Sequence, residues 1–214
     1  MKAAKLVDAV GFDLDNTLYC STSAITQKIQ NYMLAKASAF LGRSLTQVQQ
    51  EYTRIYSQLQ SGRKTLEALG VPQAQQAVQD ALEHADIVSL LQRDDRLVAL
   101  LQKLQISYKL FLITGSQEQT AHNKLNTLGI SQTTFDLAMY SGAPYERHDG
   151  SAFRHVAQMF NIPLTRILFV GDRERVDILP AKQLGVKTAI VNASSTYADY
   201  QLTTLYDLEQ ILLM

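Results

Sequence analysis

The chain has 214 residues, 46% of them hydrophobic, enough for one full core with or without an insertion. Twenty basic residues balance twenty acidic ones, so the charge argues against nucleic acid or an anionic membrane as a partner. No apolar run reaches the roughly 20 residues of a membrane span, and the polar start, Met1-Lys2-Ala3-Ala4-Lys5, carries no signal-peptide pattern.

Leu6 to Phe12 is short and largely apolar, as a buried parallel strand is. It runs into Asp13-Leu14-Asp15-Asn16-Thr17-Leu18-Tyr19. Asp13 and Asp15 share one side of an extended backbone, at the strand end where open α/β sheets bind ligands. Two such acids repel unless a cation lies between them or one is protonated. A carboxylate can attack phosphorus, and a neighbouring acid can move the leaving group's proton. Short acidic pairs also cap helices. Cys20, the single cysteine, permits no internal disulfide, which fits a reducing cytoplasm, and is expected to serve packing.

Residues 21–92 read as helix throughout. Ser23 to Leu41 carries Ile25, Ile29, Met33 and Ala37 at helical spacing and stops at Gly42. Ser44-Leu45-Thr46-Gln47 resembles a capping box opening a helix to about Gln60. Gly62 and Gly70-Val71-Pro72 mark breaks, with a further helix to about Ala85. The region is too long for a loop and reads as a helical insertion. Its Tyr32, Tyr52 and Tyr56, with Tyr19 ahead of it, are candidates to stack on a ring, but also ordinary packing residues. Arg43, Arg54, Arg63 and Lys64 read as a solvated face.

From about residue 93 helices alternate with strands. The strands are Tyr108–Thr114, a short Phe135–Tyr140, Arg166–Gly171 and Val186–Val191. The helices are Ser116–Leu128, Ser151–Phe160, Val176 to Gly185 and Tyr206–Leu213. This alternation predicts an α/β fold, a doubly wound parallel sheet of Rossmann-like type. Thr114-Gly115-Ser116 ends one strand and Gly171-Asp172 ends another, with Asp177 five residues on. The first offers a hydroxyl and backbone N–H groups to a phosphate. The second adds hard oxygen ligands suited to Mg²⁺, or a helix cap. Three cap coincidences at one sheet edge are a poorer explanation than one site.

These residues resemble the haloacid dehalogenase superfamily. Phe12-Asp13-Leu14-Asp15-Asn16-Thr17-Leu18-Tyr19, Thr114, and Gly171-Asp172-Arg173-Glu174-Arg175-Val176-Asp177 look like its motifs I, II and IV, and the insertion looks like its C1 cap. The wording D-L-D-N-T-L-Y most resembles the pyrimidine 5′-nucleotidase-like branch. The resemblance implies a HAD-like core over 1–20 and 93–214, a cap over 21–92, and Mg²⁺ as cofactor. It implies Asp13 as nucleophile and metal ligand, and Asp15 as general acid, then base, with its carbonyl on the metal. Thr114 would hold the phosphoryl group, with Asp172 and Asp177 as metal ligands. Dehalogenating relatives lack an acid at Asp15.

Two positions depart from the pattern. Motif II usually reads Thr-Asn-Gly or Thr-Asn-Ser. Motif III usually supplies a lysine; counting back from Gly171 puts Arg147 there, beside His148, read as a loop residue. The expected activity is a phosphohydrolase acting on a small phosphate ester, a nucleoside monophosphate first and a sugar phosphate next. A phosphomutase and a non-catalytic binding protein on the same scaffold are the alternatives.

Overall fold

The computed structural model describes residues 5–59 and 61–213. The polar start at residues 1–4 and the expected helix end at Gln60 lie outside them. The chain forms two units, Met1–Cys20 with Leu91–Met214, and Ser21–Leu90.

In the first unit the strands are β1 (Ala9–Phe12), β2 (Lys109–Ile113), β3 (Leu137–Met139), β4 (Ile167–Gly171), β5 (Lys187–Ile190) and β6 (Tyr200–Gln201). They form one sheet in the order β3-β2-β1-β4-β5-β6, every neighbour parallel. β1 is central and wholly buried, so its residues are apolar without alternation. Val10 pairs with Leu110 on one side and Leu168 on the other. The strand order reverses between β1 and β4. The carboxyl ends of these two strands therefore border the crevice where a doubly wound sheet takes its ligand.

The core against this sheet includes Phe111, Phe153, Val156 and Phe169, each fully buried. Gly11 is required here: a Cβ on it would lie 2.1 Å from the Phe111 ring. A helix at Asp95–Gln105, capped by Asp94 at the Leu97 amide, buries Leu97, Leu100, Leu101 and Leu104. The predicted helix from Ser116 begins at Glu118 instead, because Ser116 is turned inward. The region after Asp172 departs most from expectation. A π turn, Glu174–Ile178, precedes a short helix at Leu179–Gln183. β6 lacked a legible signal because it has two residues.

The second unit contains helices at Ser23–Leu41, Leu45–Leu59, Gly62–Ala68 and Ala74–His84. Thr22 caps the first, and Gly42, at φ 63°, ends it in the left-handed conformation glycine favours. Ser44 and Gln47 exchange the expected capping contacts, at 3.3 Å and 3.2 Å. Met33, Leu34, Ala37, Val48, Tyr52 and Leu66 form the unit's own core. Tyr52 is thus a packing residue, stacked on Tyr56. Arg43 and Arg63 pair with Glu51 and Glu67 on the surface. Among the described residues, no helix is long and apolar enough to cross a membrane.

Candidate active site

β1 carries the chain to Asp13, whose amide donates to the Val170 carbonyl at 2.9 Å. The strand ends at Phe12, and the chain then turns, with Leu18 N–H donating to Leu14 O at 3.0 Å and Asn16 at φ 55°. The expectation that Asp13 and Asp15 share one face assumed extended backbone. In the folded chain the two carboxylates have separate sets of partners.

Asp13 belongs to a buried cluster. Asp13, Asp172 and Asp177 each offer an oxygen, all within 4.8 Å of one another. Asp172 follows β4, the direct neighbour of β1. Asp177 is folded back by the π turn: its Oδ2 accepts from the Arg173 amide at 2.9 Å. This approach needs Gly171, where a Cβ would lie 2.4 Å from Asp177 Cβ.

Arg147 supplies the cluster's cation. Its Nη1 is 2.8 Å from Asp13 Oδ1 and 2.6 Å from Asp177 Oδ1, and its side chain is 7% exposed. The arginine counted to the motif III position from the sequence is thus paired with Asp13 and Asp177. Arg147 and the more exposed Arg173, 3.8 Å from Asp172, face three acids. Burial, followed by repulsion from Asp177 and Asp15, pushes the Asp13 carboxyl up to about 6 against the pull of Arg147. Burial also raises Asp172 and Asp177. The Arg147 guanidinium is held above its usual range despite burial, by Asp13 and Asp177.

A hard divalent cation fits this donor set. Asn16 donates to Asp172 Oδ2 at 2.9 Å, but Asp172 Oδ1 is buried and accepts no hydrogen bond from the described residues, with Arg173 Nε standing 3.8 Å away. An all-carboxylate cluster with an orphaned oxygen is what an oxygen-preferring ion such as Mg²⁺ requires.

Asp15 is held by a second group of residues. Lys124 Nζ lies 2.7 Å from Asp15 Oδ1, Tyr19 donates its hydroxyl to the same oxygen at 2.5 Å, and Ser116 Oγ donates to Oδ2 at 2.9 Å. Burial alone would raise this carboxyl, yet the charge and bond of Lys124, with Tyr19 and Ser116, hold it below the usual value. Burial and the adjacent Asp15 push the Tyr19 phenol well above its ordinary range. Tyr19, a stacking candidate from the sequence, engages Asp15 through its hydroxyl.

Lys124 was not legible as a site residue. It lies in the helix Glu118–Leu128, whose buried residues are Ala121, Lys124, Leu125 and Leu128. A lone lysine within that apolar stripe was the available signal.

Thr114 follows β2, its amide donating to Met139 O at 3.0 Å; it is 4% exposed, and its Oγ1 accepts from the Ser116 amide at 3.1 Å. His148 is an exposed loop residue near Glu146, as expected. Cys20 is exposed, contrary to the packing role expected of it: buried packing ends at Leu18, and Cys20 lies in irregular chain before Ser23.

The sequence over residues 7–185 matches the model of the haloacid dehalogenase-like hydrolases. No curated protein matches it. Among solved structures, a HAD-superfamily hydrolase of Geobacter sulfurreducens superposes with TM-score 0.65 at 21% identity, over 99% of each chain. A HAD phosphatase from Thermococcus onnurineus gives 0.63 at 20% identity, over 95% of this chain and 97% of that one. A 2-haloacid dehalogenase from Pseudomonas syringae gives 0.58 at 20% identity, over 96% and 97%. These likenesses share the fold, and the family match extends from β1 past the π turn that carries Asp177. The chain belongs to the haloacid dehalogenase-like hydrolases.

Proposed function

We propose that this hydrolase is a Mg²⁺-dependent phosphatase of small phosphomonoesters, working through an aspartyl-phosphate on Asp13. The observation that carries the reading is a pair of carboxylates two residues apart with different partners: Asp13 among acids and Arg147, Asp15 among Tyr19, Ser116 and Lys124. A halide leaves carbon without needing a proton; an alkoxide leaving phosphorus needs one. The second acid therefore favours phosphate over carbon–halogen chemistry on a fold that serves both in other proteins.

An Asp13 oxygen attacks phosphorus in line, and the ester P–O bond breaks with its electron pair on the leaving oxygen. Asp15 gives that oxygen a proton. An arriving phosphate dianion raises the proton affinity of a nearby carboxyl, so Asp15 can carry a proton in the complex although it is ionised at rest. Water then attacks the aspartyl-phosphate, Asp15 takes its proton, and Asp13 is released. Thr114 would hold the transferring group. Arg147 offsets the charge of the acids facing an anionic substrate.

Asp13, Asp172 and the Asp15 carbonyl would hold the ion. Asp177, both of whose oxygens already bond to Arg147 and the Arg173 amide, would brace the site and the ion's waters. When bound, the cation screens the repulsion between an anionic nucleophile and an anionic phosphate. By its motif wording the chain would prefer nucleoside 5′-monophosphates, and the helical unit Ser21–Leu90 would act as the C1 cap that selects them.

Hydrolysis of p-nitrophenyl phosphate with and without Mg²⁺ tests the chemistry, and a panel of nucleoside and sugar monophosphates tests the preference. Metal-dependent release of phosphate is expected. No release with either type of ester would favour the non-catalytic alternative.

A further inference from the structure

Lys124 is 1% exposed, although a lysine ordinarily leaves its ammonium in water. Burying it is unfavourable unless a partner compensates. Its partner is Asp15, whose side chain is still 34% exposed. The lysine is thus sealed behind the acid and cannot itself touch a substrate. Nζ also lies 2.8 Å from Ser116 Oγ, which in turn bonds to the other Asp15 oxygen. Lysine, serine and carboxylate close a ring of contacts that fixes both carboxylate oxygens.

The motif II segment supplies the serine of this ring. Gly115 carries no side chain, and the following residue, Ser116, faces inward and is 3% exposed. The helix after it, Glu118–Leu128, delivers the cation at Lys124. Three chain segments therefore converge on one carboxylate: Tyr19 beyond β1, Ser116 beyond β2, and Lys124 in the helix.

Resting on the phosphatase reading, we propose that Lys124 is a positioning residue which, with Ser116, fixes the Asp15 carboxylate for proton transfer at the scissile oxygen and the attacking water. Without Nζ the carboxylate loses its ionic anchor and samples other rotamers. Misplacement of a proton-transferring group by about 1 Å costs on the order of a hundredfold in rate. The ester P–O bond still breaks unaided when its leaving oxygen is stable as an anion. An alkoxide does not leave without its proton. Hydrolysis of the aspartyl-phosphate needs Asp15 for both kinds of ester.

Lys124→Met keeps the buried stem and removes the cation. On an alkyl phosphate its kcat is expected to fall roughly 30–100-fold with KM within about twofold. On p-nitrophenyl phosphate the first turnover should persist as a burst of nitrophenolate at near the parent's rate, followed by slow steady turnover. A burst slowed as much as alkyl ester hydrolysis, or no change on either ester, overturns the inference while the phosphatase reading stands. A parent that hydrolyses neither ester overturns that reading and this inference with it. If Lys124→Met does not fold, Ser116→Ala should show the same split at roughly 5–10-fold. Full activity of Ser116→Ala on both esters would then leave Lys124 a folding role and overturn the proposal.

Discussion

Arg147 Nη1 lies 2.8 Å from Asp13 Oδ1, and both side chains are buried. The contact joins the β1 end to the loop before the helix Ser151–Phe160. Removing the guanidinium leaves Asp13 and Asp177 without the cation that bonds both. Breaking a buried ion pair from one side typically costs about 3–5 kcal/mol. Arg147→Ala is therefore expected to melt well below the parent at pH 7.5 and to lose roughly a hundredfold in kcat/KM. Arg147→Lys keeps the charge but not the fork, and should fall between the two. Equal activity in all three proteins would place Arg147 outside the chemistry.

The acid cluster gives a pH dependence whose sign follows from Asp13. An unperturbed aspartate titrates at 3.8, and folded Asp13 at about 6. Between those values the folded state binds more protons than the unfolded one. The contribution of Asp13 to stability therefore declines as pH rises through that window, and is level above and below it. Asp172 and Asp177 shift in the same direction. In EDTA at pH 7.5, Asp13→Asn should melt roughly 3–6 °C above the parent, and the gap should close near pH 4. Mg²⁺ should raise the parent more than the variant. A variant that melts lower in EDTA at pH 7.5 would mean the Arg147 pair outweighs the repulsion.

Asp13→Asn also tests covalent catalysis. The amide keeps the shape and loses the attacking charge. A kcat loss of about a thousandfold or more on p-nitrophenyl phosphate is expected at saturating Mg²⁺. Turnover within tenfold of the parent would exclude Asp13 as nucleophile.

The sheet was legible because buried parallel strands are short apolar runs that end in punctuating residues. Asp13, Thr114 and Asp172 could be assigned to one edge for that reason. Arg147 was found by counting back from Gly171, but its choice of Asp177 as second partner was not. That depends on the π turn at Glu174–Ile178, whose residues also suit an ordinary helix. Lys124 was missed for a different reason. Helical periodicity locates a face, but not the site residue that a polar member of that face will meet across the fold. The separation of Asp13 from Asp15 depended on the strand stopping at Phe12, and strand ends are poorly marked in sequence.

Gly171 offers a test of Asp177 that leaves every carboxylate in place. An alanine Cβ there would lie 2.4 Å from Asp177 Cβ, 2.5 Å from its Cγ and 2.6 Å from Oδ2. Those atoms cannot stay where they are, and Asp177 is fully buried. The carboxylate must withdraw from the Arg173 amide and from Arg147. Overpacking of this kind costs about 1–3 kcal/mol, so Gly171→Ala should melt several degrees below the parent. If Asp177 braces the ion and its waters, the variant should also need more Mg²⁺ for half-maximal phosphatase activity, roughly tenfold more. Activity should then recover in part as Mg²⁺ is raised. A variant that is less stable but has an unchanged Mg²⁺ requirement would confine Asp177 to holding Arg147, and leave the ion to Asp13, Asp172 and the Asp15 carbonyl.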